Sequence, residues 1–172
     1  MNAKSITRTA ILLALLVALQ YATSSLGQLV TGSCVNLVLA VAALFAGLWS
    51  GVAVAAVSPF FAFLLGVGPK LTAVVPFIAL GNLVYVLLLS LWGGKRGDSP
   101  LRRLFAVGAA AGCKALALYV LVVRLLLPTL GLPEAQTALM SRMFSWPQFV
   151  TALVGGCLAL AVVPALKRAF RD

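Results

Sequence analysis

Apolar runs whose few charged residues stand mostly near their ends follow one another along this chain at 6–23, 34–48, 51–65, 71–92, 101–127 and 147–169. About 20 apolar residues in a helix cross the roughly 30 Å hydrocarbon core of a bilayer. Within lipid the backbone must satisfy its own hydrogen bonds, which helices do. The runs therefore predict an all-α integral membrane protein, a compact bundle of six transmembrane helices forming one domain over residues 1–172. Composition agrees: 63% of residues are hydrophobic and 9% charged, where soluble domains carry about a quarter charged residues. Ser58-Pro59 marks an expected kink in the third run, because proline cannot donate a helical hydrogen bond. Lys4 and Arg8 stand at the start of the first run, as in a signal peptide, but further spans succeed it, so a retained first helix is expected.

The net charge of +10 flanks the spans and reads as a topology signal, not a nucleic-acid surface. An even number of spans puts both termini on one side. That side holds Lys4, Arg8, Lys95, Arg96, Arg102, Arg103, Lys167, Arg168 and Arg171; the other holds Lys70, Arg124 and Arg142. The bias predicts cytoplasmic termini in the cell membrane. No histidine is present, and Cys34, Cys113 and Cys157 show no paired spacing, so neither a metal site, a cofactor nor a disulfide framework is indicated. The acids are Asp98, Glu134 and Asp172, all outside the spans. No acid–base pair or nucleophile–base set emerges, so an enzyme is not expected, and coupling residues for self-powered transport are missing.

Lys114 is the residue that most needs a function. It stands about a dozen residues into the fifth run, roughly 18 Å along a helix, where an unpaired lysine costs about 2.5–3.5 kcal/mol on insertion scales. Without an intramembrane acid, its counter-ion is a substrate anion, or else it is a lysine that snorkels to carbonyls and water. Asn82 falls at a similar depth in the fourth run. Its amide serves either a neighbouring helix or a ligand. Asn36, near the outer end of the second run, joins Gln28, Thr31 and Ser33 as a candidate pocket wall. Further outer candidates are Lys70 and Thr72 between the third and fourth runs, and Arg142, Trp146 and Gln148 before the sixth. Trp146 equally suits an interfacial anchor. With Arg124, these residues make the outer half electropositive and favour a small anion.

The first run reads "AILLALLVALQYA" over 10–22, placing Ala10, Ala14, Ala18 and Ala22 four residues apart. Small side chains let helices approach closely in lipid, so the stripe serves either internal packing or a partner helix.

"TGSCVNLVLAVAALFAGLWSGVAVAAVSPFFAFLLGVGP" and "VVPFIALGNLVYVLLL" resemble the second to fourth helices of the substrate-binding S components of energy-coupling factor (ECF) transporters. That resemblance implies a subunit that binds a vitamin or related micronutrient outside the cell. It further implies work with a transmembrane coupling subunit and two cytoplasmic ATPases, and toppling in the membrane lipid to deliver the substrate. It maps the coupling-subunit contact onto Ala10, Ala14 and Ala18, with Ala22 extending it. Substrate identity does not transfer; pantothenate, biotin, niacin, lipoate and folate-like molecules fit an anionic, partly apolar ligand. A membrane scaffold without its own ligand is the alternative.

Overall fold

The computed structural model describes residues 3–93 and 99–170. Lys95, Arg96, Asp98, Arg171 and Asp172 lie outside them. Seven α-helices are described: α1 (Ala3–Ala22), α2 (Gln28–Val41), α3 (Leu48–Leu64), α4 (Val75–Trp92), α5 (Pro100–Leu118), α6 (Glu134–Met143) and α7 (Trp146–Ala169). All but α6 belong to the bundle. Five segments are long and apolar enough to span a membrane, and α3 is a shorter apolar helix.

The neighbours of each helix close a ring. α1 packs on α2 and α3, α2 on α7, α7 on α5, α5 on α4, and α4 on α3. α5 is thus across the ring from α1. Close approach at two seams depends on glycine. A Cβ at Gly155 in α7 would come within 2.5 Å of the Leu37 backbone nitrogen and 2.7 Å of the Asn36 carbonyl carbon. One residue on, a Cβ at Gly156 would come within 2.5 Å of Val107 and 2.6 Å of the Tyr85 hydroxyl. The Gly155-Gly156 pair therefore lets α7 seat against α2 on one side and against α4 and α5 on the other. Gly155→Val is expected to cost about 1–3 kcal/mol by overpacking and to lower the thermal midpoint in detergent. Gly108→Ala, with open space around it, is expected to leave that midpoint unchanged.

Helix boundaries depart from the hydropathy reading in three places. α2 starts at Gln28 instead of 34, because Gly27, at φ 88° and ψ 167°, makes the turn and lets the polar 28–33 stretch enter the helix. These positions form helical turns rather than the first outer loop. Between the second and third runs the joint narrows to Gly47 (φ 96°, ψ 173°), a conformation open essentially to glycine alone. Before it, α2 continues over Ala42–Ala46 in a wider turn, closed by the Gly47 N–H to the Ala42 carbonyl. Finally, the connection after the fifth run contains α6, whose sequence EAQTALMSRM is rich in helix formers with Glu134 in its first turn. α5 itself continues to Leu126 in wide turns. Met140 of α6 and Phe144 then join Val74, Leu118, Val122 and Leu127 in an apolar cluster at the end of the bundle remote from the termini.

α1 buries only Leu12 and Leu16. Hydroxyls tie it to α3, Thr9 Oγ1 and Ser50 Oγ sharing a hydrogen bond of 2.8 Å. Ala10, Ala14, Ala18 and Ala22 are all exposed, so the stripe is not packed within this chain.

Candidate ligand-binding site

Four helices converge on Lys114. Its Nζ donates to Asn36 Oδ1 of α2 at 2.5 Å and to Asn82 Oδ1 of α4 at 2.7 Å. Tyr85, one turn beyond Asn82, places its ring centroid 5.4 Å from Nζ, within cation–π range. The Tyr85 hydroxyl donates to the Ala152 carbonyl of α7 at 2.7 Å, which fixes the ring. Asn36 is oriented in turn: its Nδ2 donates to the Gly32 carbonyl at 2.8 Å and to Thr151 Oγ1 at 3.2 Å. Lys114, Asn36, Asn82 and Thr151 are each 2% exposed.

Two hydrogen bonds to a charged donor are worth about 1.5–3 kcal/mol each. Their sum matches or exceeds the insertion-scale cost of a midplane lysine, so the fold tolerates the ammonium without an acid. The amides leave its charge in place. A third ammonium proton, and the Nδ2 of Asn82, have no hydrogen-bond acceptor among the described residues. Together they are available donors for a carboxylate.

These groups floor a cavity of about 530 Å³, within the usual range for small-molecule sites. Lys114 is the one charged residue among the described cavity walls. Apolar surface comes from Val35, Phe63, Val75, Ile78 and Phe144 among others. The mouth is formed by the 24–28, 66–69 and 143–148 segments, so the cavity faces the end of the bundle opposite both termini. Gln28 Nε2 (2.7 Å) and Gln148 Nε2 (3.0 Å) both donate to the Met143 carbonyl. This shared acceptor ties the α6–α7 junction to the start of α2 beside the cavity.

A family model described as the ECF transporter substrate-specific component matches residues 4–167. The chain belongs to this family. It is a multi-pass membrane protein and the subunit that recognises a small-molecule substrate for the ECF module. No curated protein and no solved structure matches the chain.

Against this substrate-specific component, the candidates read from sequence divide into two groups. Lys114, Asn82, Asn36, Gln28 and Gln148 all line this cavity, from four helices, α2, α4, α5 and α7. Ser33, Lys70, Arg142 and Trp146 are not among its lining residues. The Ser33 hydroxyl turns back to the Leu29 carbonyl at 2.7 Å, while Lys70, Arg142 and Trp146 are exposed at the rim end.

Sequence reasoning passed over Gln20, Ser58, Tyr85 and Thr151. Gln20 had a usable signal. Leu12, Leu16 and Gln20 follow at four-residue spacing, two residues out of phase with the alanines. Two residues turn a helix by about 200°, so an outward alanine line points Gln20 inward. Ser58 was read only as part of a proline kink, and Tyr85 and Thr151 carry no local mark of their neighbours.

Proposed function

We propose that this ECF substrate-specific component captures a small anionic micronutrient of the vitamin class. In this reading Lys114 supplies the charge, and Asn82 and Asn36 hold and orient it. The observation that carries the proposal is a buried lysine on the floor of a ligand-sized cavity, paired with amides and with no carboxylate among the described walls. An anion is the partner that relieves such a charge. The subunit has no catalysis of its own in this account.

Its capture face is extracellular. Lys4, Arg8, Arg102, Arg103, Lys167 and Arg168 gather at the terminal end of the bundle, and positive flanks favour the cytoplasm. The cavity opens at the other end. Delivery falls to a transmembrane coupling subunit driven by cytoplasmic ATPases, and the exposed Ala10, Ala14, Ala18 and Ala22 face of α1 is the docking surface for that subunit. Lys70, Arg142 and Trp146 form an outer rim through which the anion enters, with Ser33 on the adjoining face of α2. A ligand-free scaffold has no use for a 530 Å³ cavity with unsatisfied donors at its floor.

Native mass spectrometry of the gently purified full chain tests the proposal. The expected result is a retained small molecule with an acidic group, released on Lys114→Met. A retained cation or neutral molecule, or no adduct after growth in rich medium, would overturn it.

A further inference from the structure

Among the described residues, four buried side-chain polar atoms have no hydrogen-bond partner, and two of them, Gln20 Oε1 and Ser58 Oγ, belong to residues that line the cavity. Such atoms are uncommon because each forfeits about 1–3 kcal/mol of lost solvation. Ser58 is 1% exposed. Hydroxyls in helices ordinarily turn back to a carbonyl of the preceding turn. Thr9, Thr23 and Ser33 all do so here, with bonds of 2.7–2.8 Å. Ser58 does not.

The placement of the two atoms is informative. Gln20 comes from α1 and Ser58 from α3, helices that adjoin each other. Lys114 comes from α5, which packs on α4 and α7 across the ring. Gln20 thus stands on the helix across the ring from Lys114, and Ser58 on α3, which adjoins both α1 and α4. Apolar side chains, Val35, Phe63 and Ile78 among them, line the same cavity.

We infer that Gln20 and Ser58 form a second, neutral subsite, and that the ligand is bifunctional. It is a monocarboxylate whose acid end meets Lys114 and Asn82. At its far end it carries an uncharged hydroxyl, amide or urea group, joined through an apolar body. Gln20 Oε1 accepts from that group and the Ser58 hydroxyl either donates or accepts. A rotated Gln20 amide presents Nε2 at the same place, and hydroxyl, amide and urea groups satisfy both settings. A second negative charge inside the cavity has no cationic counterpart among its described walls, so dicarboxylates and phosphate esters fit it poorly, as do simple fatty acids that have no far polar group. This inference rests on the anion-capture reading of Lys114.

The test identifies the molecule retained by the full-length protein in native mass spectrometry, then measures its dissociation constant for three variants by equilibrium dialysis. The expected ligand has one acid function and at least one uncharged N–H or O–H group. Gln20→Leu and Ser58→Ala each weaken it about tenfold, the effect of one buried hydrogen bond, while Lys114→Met weakens it at least 100-fold. Circular dichroism and gel filtration identify any variant that misfolds, in which case Gln20→Met and Ser58→Cys replace it. A retained monocarboxylate with no far polar group, or unchanged affinity in both folded neutral-subsite variants, would overturn the second subsite while leaving anion capture standing. A ligand indifferent to Lys114→Met, or no retained ligand, would overturn anion capture and with it this inference.

Discussion

Lys114→Met is expected to reduce affinity for the captured ligand by about 100-fold or more while leaving the bundle folded. Methionine keeps most of the lysine's length and none of its charge. What is lost is one ionic partner and the donor it offers to a carboxylate. Hydrogen bonds to charged groups contribute about 1.5–3 kcal/mol each, and each 1.4 kcal/mol is tenfold in affinity. The unliganded protein should suffer little. Removing the ammonium abolishes its burial cost, and the two asparagine oxygens it leaves at 2.5 and 2.7 Å border a cavity that water can enter. Thermal midpoints with and without ligand check this. The wild type should be stabilised by ligand through mass action, and the variant should not.

The second large effect concerns the partner. Ala14→Leu or Ala18→Leu is expected to abolish ATP-driven uptake in cells or proteoliposomes containing the coupling subunit and ATPases, yet leave ligand binding by the isolated subunit unchanged. Both alanines are exposed, so leucine meets no neighbour within the chain. Packing between membrane helices relies on small residues that let backbones approach. A leucine there pushes the docking helix away from its partner by roughly the size of its added methyl groups. The inward line of Leu12, Leu16 and Gln20 lies on the opposite face of α1 and is not disturbed. Equal loss of uptake and of isolated binding would place the stripe's role in folding instead of docking.

Much of the bundle was legible because a bilayer reduces the problem to lengths of apolar chain. Boundaries were less so. Hydropathy assigns polar residues to loops, yet Gln28 and Thr31 line a cavity, and the helix that carries them begins after the conformationally free Gly27. Helix α6 was hidden for the related reason that an amphipathic loop helix with a single buried residue, Met140, has no hydropathy peak. Within the site, Lys114 and Asn82 announced themselves by cost, since a buried charge or amide in lipid demands an explanation. Their pairing with Asn36, and the Tyr85 ring beneath the ammonium, depend on which helices adjoin around the ring. No run of sequence encodes that locally. It is written instead in the glycine seams, where Gly155 admits the Asn36 backbone and Gly156 admits Tyr85.

The central claim is that a buried lysine recognises the negative charge of the substrate. Comparing the retained ligand with its uncharged primary amide tests it without altering the protein. The two molecules share the body and the far end group and differ in charge at one position. Equilibrium dialysis against the wild-type subunit should give an amide affinity at least about 100-fold weaker than that of the acid. Equal affinities would contradict the account, because Lys114 would then be an ordinary hydrogen-bond donor and not the site of charge recognition.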